Sequence, residues 1–224
     1  MISFFRTIVL MVCLIGLSAC TENIESRTYT DLEGTKLTIK TEGEEYYLTI
    51  GSTQNQLVTS EATNWKNELL YKNEYYRGFL LYSRQEGDYH WKLDIDLSQV
   101  DALFPMEVGV AAEVTGEIID LVDQTRAGYR AEINIIAEKA LVLPSGTYTA
   151  YQVKLTQHYE TPEGTKTWRQ VVYHCPELKM NMKGSYISDG EKKYWRIVKI
   201  ENLDTDMTPA PPARPRRRNG TVMI

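Results

Sequence analysis

Two carboxylates, three histidines and one internal cysteine are the side chains whose type and spacing could do chemistry in this chain. Asp94 and Asp96 alternate within "DYHWKLDIDL". On a strand they share one face about 6.6 Å apart, a separation that acid/base pairs of glycosidases can show. The same spacing follows on any solvated strand face, and no acid/base partner for the pair is identifiable elsewhere. His90, His158 and His174 are the only histidines, and no pair has the spacing of a helical or finger-type metal site. His174 and Cys175 are adjacent, so on a strand they point to opposite faces. Cys175 precedes Pro176 and reads as a small packed residue, since a reactive thiol needs exposure and a lowered pKa. The sequence has no G-x-S-x-G, G-x-x-x-x-G-K, H-E-x-x-H or C-x-x-C motif. The expectation is no catalytic residue, no metal and no cofactor.

The elements that would position these groups are strands. From Arg27 to Glu201 the hydrophobic pattern has a period of two. "TKLTIK" places Leu37 and Ile39 on one face, "DYHWKLDIDL" places Trp91, Leu93, Ile95 and Leu97 together, and "KMNMKG" pairs Met180 with Met182. Turn signals interrupt these runs at Glu33-Gly34, Glu42-Gly43, Glu86-Gly87, Pro144-Ser145-Gly146, Pro162-Glu163-Gly164 and Ser188-Asp189-Gly190. Such spacing suits antiparallel hairpins. Tyrosine, at 15 of 224 residues, suits strands because its ring packs while its hydroxyl stays wet. The predicted fold is mainly β, a curled antiparallel sheet or an open β-barrel with few short helices. Thr53 to Leu70 breaks the alternation and reads as a helix ending near Leu70 or as a long loop. Gln99 to Phe104 fits one helical turn before Pro105.

The first residues have a different character. Arg6 is followed by an apolar run from Ile8 to Leu17 and then by small residues up to Cys20, the layout of an export leader. The run is too short to span a bilayer, which takes about 20 apolar residues. Leu17-Ser18-Ala19-Cys20 resembles a bacterial lipobox. The resemblance implies cleavage before Cys20, acyl chains on its thiol and new amino group, and a chain held stably to a membrane, because each buried methylene contributes about 0.8 kcal/mol. Thr21 resembles residues that allow sorting to the outer membrane. Cys20 is the candidate lipidation site. With Cys13 lost in the leader and Cys20 acylated, Cys175 stands alone and no disulfide forms.

Charge divides the chain again. Lys and Arg number 25 and Asp and Glu 30, for a net −5. Removing Arg6 gives −6, and leaving out Arg214, Arg216, Arg217 and Arg218 gives −10 for residues 20–208. An acidic body argues against nucleic acid or an anionic bilayer as the main partner of the folded domain. The tail "MTPAPPARPRRRNGTVMI" is rich in proline, which favours extended, solvated backbone. Arg214, Arg216, Arg217 and Arg218 are candidate contacts to an anionic partner such as the phosphates of lipid or cell-wall polymer; the plainer reading, which the composition favours, is a solubilising end that binds nothing specific. The predicted organisation is a signal peptide over 1–19, an anchor and linker over 20–26, one antiparallel β domain over 27–207 and the Pro/Arg tail over 208–224.

Three stretches of the second half carry a resemblance. "FPMEVG" (Phe104 to Gly109), "LVLPSGTYTAYQV" (Leu141 to Val153) and "VYHCPELKMNMKGSY" (Val172 to Tyr186) resemble segments of a family of uncharacterised exported bacterial proteins, many of them lipoproteins. The match covers about 104–200 and departs at Val110, Ala111 and Ala112, where the family often has an aromatic, and near Lys179, where it has glycine. It implies an exported β-rich domain and supplies no catalytic residues. Three functions follow in order: a non-enzymatic binding or accessory module with an envelope protein partner, a carrier of lipid or another apolar ligand in a concave sheet, and a hydrolase of envelope polymers. The expected location is the periplasmic face of the outer membrane, with Cys20 as anchor.

Overall fold

A computed structural model describes residues 32–201, except 144, 145, 163 and 189. Twelve strands follow one another: β1 Lys36–Thr41, β2 Glu45–Gln54, β3 Leu57–Thr63, β4 Leu69–Tyr76, β5 Leu80–Glu86 and β6 Tyr89–Ile95. After a short helix, α1 Leu97–Asp101, come β7 Ala111–Asp120, β8 Arg126–Leu143, β9 Gly146–Thr161, β10 Gly164–Cys175, β11 Met180–Ser188 and β12 Glu191–Glu201. Each strand pairs antiparallel with the next, and β1 pairs with β12, so the sheet closes into a barrel with no free edge. The fold is mainly β, as the alternation predicts, and the expected curled sheet or open barrel is a closed barrel of twelve strands.

The segment 53–70 is neither helix nor long loop. It contains the end of β2, all of β3 and the start of β4, joined by turns at 55–56 and 64–68. Alternation is masked there because the inward positions of β3 are Val58, Ser60 and Ala62, of which only one is large and apolar. Near the expected turn at Gln99–Phe104, α1 begins at Leu97, because the Asp96 carboxylate accepts a hydrogen bond from the Ser98 N–H and caps the first turn.

Alternation decides what fills the barrel. Leu93, Val114, Ala131, Ile133, Val153 and Leu155 form one buried cluster on β6–β9. Leu37, Ile39, Ile50, Ala150, Met182 and Ile197 belong to a second, drawn from β1, β2, β9, β11 and β12. Gly184 leaves room on β11 for the indole of Trp195 on β12, against which an added Cβ would press. The outer wall of β6–β8 is charged. Arg126 reaches Asp94 (3.2 Å) and Glu117 (2.6 Å), and Arg130 reaches Glu113 (2.9 Å) and Glu132 (3.1 Å). These half-exposed pairs contribute little stability each, but they mark that wall as one that faces water.

In a meander the turns alternate between the two barrel ends. The end reached after β2, β4, β6, β8 and β10 also receives the chain entering β1 and leaving β12. It is sealed by Leu32, Phe79, Val100, Leu103, Met106 and Leu178, all buried. Asp101 of α1 ties this seal together, accepting from the Tyr76 hydroxyl (2.9 Å) and from Arg77 Nε (2.6 Å). The Arg77 guanidinium lies 4.7 Å from the Phe104 ring centroid.

Candidate functional site

The opposite end is lined by rings. On β2, β4, β5 and β6 the inner face continues past Ile39, Ala62 and Val58 to their register partners Tyr46, Tyr71 and Tyr75, and past Asn73 to Arg84 and then Trp91. On β8–β11 it continues past Leu155 to Gln157, Tyr159, Trp168 and Gln170, with Tyr186 opposite Gln170 and Tyr129 opposite Tyr159. All but Tyr75, which stands near the base end of β4, lie toward the turns that follow odd-numbered strands, and together these ring one open mouth.

The rings touch in defined ways. Trp168 and Tyr186 stack with centroids 5.1 Å apart and planes 16° apart. Tyr129 and Tyr159 are tilted at 5.6 Å, and Tyr46 meets Tyr71 edge-on at 6.1 Å. The Arg84 guanidinium sits 4.0 Å from the Tyr71 ring centroid, while its Nη2 donates to Glu86 at 2.7 Å. Arg84, Glu86, Tyr89 and Trp91 border a hollow of about 220 Å³ at this end.

Below the rings the lining is polar. Gln157 donates to the Tyr129 hydroxyl at 2.9 Å, and Asn73 donates to the Tyr75 hydroxyl at 3.1 Å. Ser60 Oγ and Asn73 Oδ1 are buried without a hydrogen-bond partner among the described residues. Desolvation raises the phenol pKa values of Tyr75 and Tyr129 to about 12 and also raises those of Tyr46, Tyr71 and Tyr159. These hydroxyls therefore stay protonated and can donate. The mouth can stack on flat or ring-shaped surfaces and exchange hydrogen bonds at its floor; none of its described side chains is an activated nucleophile.

The residues singled out for chemistry are dispersed. Asp94 is exposed on the outer wall and bound to Arg126, while Asp96 lies beyond the end of β6 and caps α1. The shared strand face is corrected: the strand stops at Ile95, and no acid/base pair forms. The Asp96 pKa is lowered by its hydrogen bonds to Ser98. His158 Nδ1 meets Thr167 Oγ1 at 3.1 Å on the outside of the barrel. His174 is fully buried beneath Phe79 and Phe104, with ring centroids at 5.3 and 6.2 Å, and its Nδ1 pairs with Asn181 Oδ1 at 3.0 Å. Burial lowers its pKa to about 4, so the ring is neutral and Nδ1–H is the donor. Cys175 is also fully buried, in the other cluster with Leu178 and Met180, and burial raises its pKa to about 12. Simple alternation would have left one of these two neighbours in solvent. A register shift between Tyr173 and His174 and the covering Phe79 bury both.

No group of three metal-ligating side chains occurs among the described residues. Cys20, Arg214, Arg216, Arg217 and Arg218 lie outside the described residues. The mouth itself was hidden in the sequence, since its tyrosines read only as strand formers; the signal present was their recurrence at inward positions near the same ends of β2, β4 and β9.

Fold and mouth together define a closed antiparallel barrel shaped as a cup, sealed at the base and aromatic at the lip. No family model matches the chain, and no curated protein is similar to it. Among solved structures, it is similar to the hypothetical lipoprotein YmcC of Escherichia coli K12, with a TM-score of 0.49 and 10% identity over 92% of this chain and 95% of that one. It is also similar to an exported protein of YmcC-like fold from Bacteroides fragilis, with a TM-score of 0.48 and 13% identity over 78% of this chain and 98% of the other. Likeness this distant transfers no function.

Proposed function

We propose that this chain is an exported, acyl-anchored, non-enzymatic binding module of the bacterial envelope, held at the periplasmic face of the outer membrane and recognising its partner through the open mouth. The observation that carries the reading is the opposition of the two ends. The aromatic mouth lies at one end, and both chain ends enter and leave at the other. Cys20 is 12 residues before Leu32, at most about 40 Å of extended chain. An anchor there holds the base toward the bilayer and the mouth away from it.

The groups a hydrolase would use are otherwise engaged: Asp94 in an ion pair, Asp96 in a cap, His174 and Cys175 in the core. A carrier of apolar ligands asks for a hollow interior, whereas the middle of the lumen is filled by Leu93, Ile133, Val153 and Leu155.

The test is photo-crosslinking in cells. A benzophenone amino acid at Trp65 or Tyr89, exposed at the mouth (73% and 75%), should capture an envelope partner. The same probe at Val142, exposed at the base end (75%), should not. Equal capture from both ends would remove the mouth as the recognition surface. Cys20→Ser should move the protein from the membrane fraction to the soluble one; retention in the membrane would remove the anchor.

A further inference from the structure

We propose that the chain's own segment Pro209–Arg218, "PAPPARPRRR", docks in the mouth of the barrel that carries it. This rests on the mouth being a recognition surface and goes further by naming what it recognises: a proline- and arginine-rich peptide.

Composition makes the match. Pro209, Pro211, Pro212 and Pro215 preset an extended left-handed helix with little entropy left to lose, and aromatic-lined grooves are what such helices dock on. Tyr46, Tyr71, Trp91, Trp168 and Tyr186 supply the rings. The four arginines need carboxylates. The described turns around the mouth, at 42–44, 64–68, 87–88 and 121–125, carry Glu42, Glu44, Glu68, Asp88 and Asp123 against Lys66; on the inward lining below them Glu86 and Glu191 stand with Arg84, Lys166 and Lys193, so the acidic excess lies in the rim turns. Arginine alone would equally suit a phosphate-bearing surface. The interleaved prolines add an apolar face that such a surface leaves unused.

Reach makes the match possible. The tail leaves β12 after Glu201 at the base. Arg214 lies 13 residues further on, roughly 40 Å in extended proline helix. β12 has 11 residues, so the strand is about 36 Å long, and its tilt makes the barrel shorter than that. A tail tethered this way is present at an effective concentration near millimolar, ahead of the tail of any second copy. Two mouths facing each other would bring acidic rims together, so mouth-to-mouth pairing of copies is disfavoured. A partner that binds the mouth must displace the tail.

Two measurements on full-length Cys20→Ser protein test this. With a benzophenone amino acid at Tyr89, which borders the hollow of the mouth, digestion and mass spectrometry should find the crosslink on residues 209–218 within the monomer. A tail adduct found only in the dimer would assign it to a second copy, and no tail adduct would overturn the proposal. In the second, a synthetic peptide of residues 207–220 is titrated against the full chain carrying R214E, R216E, R217E and R218E, following tryptophan fluorescence. The expected half-saturation is at least tenfold below that of the unsubstituted chain, whose own tail competes. Equal titration of the two proteins, or no response in either, would overturn it. A mouth that captures an envelope partner in cells but fails here leaves the proposed function standing and removes only the tail.

Discussion

Trp168 and Tyr186 lie on neighbouring strands yet are not direct register partners; Gln170 stands opposite Tyr186, and the Trp168 ring leans along β10 to stack on it at 16°. The stack joins the β9–β10 and β11–β12 hairpins at the lip. A double-mutant cycle of Trp168→Ala and Tyr186→Ala should show a coupling of about 1 kcal/mol in urea unfolding. Additive effects would mean that the rings meet without stabilising each other.

The base should be less forgiving than the lip. Gly78 has φ +66°, and a Cβ there would run into the carbonyl of Lys179. Gly78→Ala combines an unfavourable conformation with a backbone collision, at a cost of about 3 kcal/mol. A chemical denaturation midpoint unchanged from the parent would contradict the packing of the 77–79 turn against the 176–179 turn.

Acid should loosen the same region. An ordinary imidazole titrates near 6.5, and burial holds His174 at about 4 in the fold. Between those values the unfolded chain takes up a proton that the native one refuses. Stability is therefore complete above pH 6.5 and falls as the pH drops toward 4, by about 3 kcal/mol over the interval. The measurement is the difference between the unmodified protein and His174→Gln in urea midpoints across this range, which cancels the carboxylates common to both. Parallel pH profiles would show that the imidazole is not the group responsible.

Cys175 should be chemically silent until the barrel opens. It is free, buried and raised to about 12 by desolvation. Ellman's reagent should therefore label it at the rate of unfolding and faster in denaturant; rapid native-state labelling would show that the β10 end frays.

The strand content was legible because inward and outward residues differ sharply in most hairpins. Leu37 and Ile39, Trp91 and Leu93, and Met180 and Met182 all point inward as their alternation predicts. The turns after Glu42, Glu86 and Pro162 announce themselves through glycine. Closure was not legible, since pairing Leu37 with Ile200 joins residues at opposite ends of the domain and leaves no local mark. The mouth was invisible for a related reason. Tyr46 and Tyr186 are ordinary strand residues until the barrel places them across one opening, and the expected pair Asp94 and Asp96 separates because a strand end falls between them.

The closing pair β1 and β12 has a mechanical consequence. The chain enters β1 and leaves β12 at the same end, so a pull between the two termini loads the hydrogen bonds of that seam one after another, beginning at Lys36 and Glu201. Antiparallel strands loaded this way unzip under small force, whereas a load spread along the strands would have to break many bonds at once. A barrel tethered by one terminus and tugged by the other would peel open at its seam, from the base upward, before its core felt the strain.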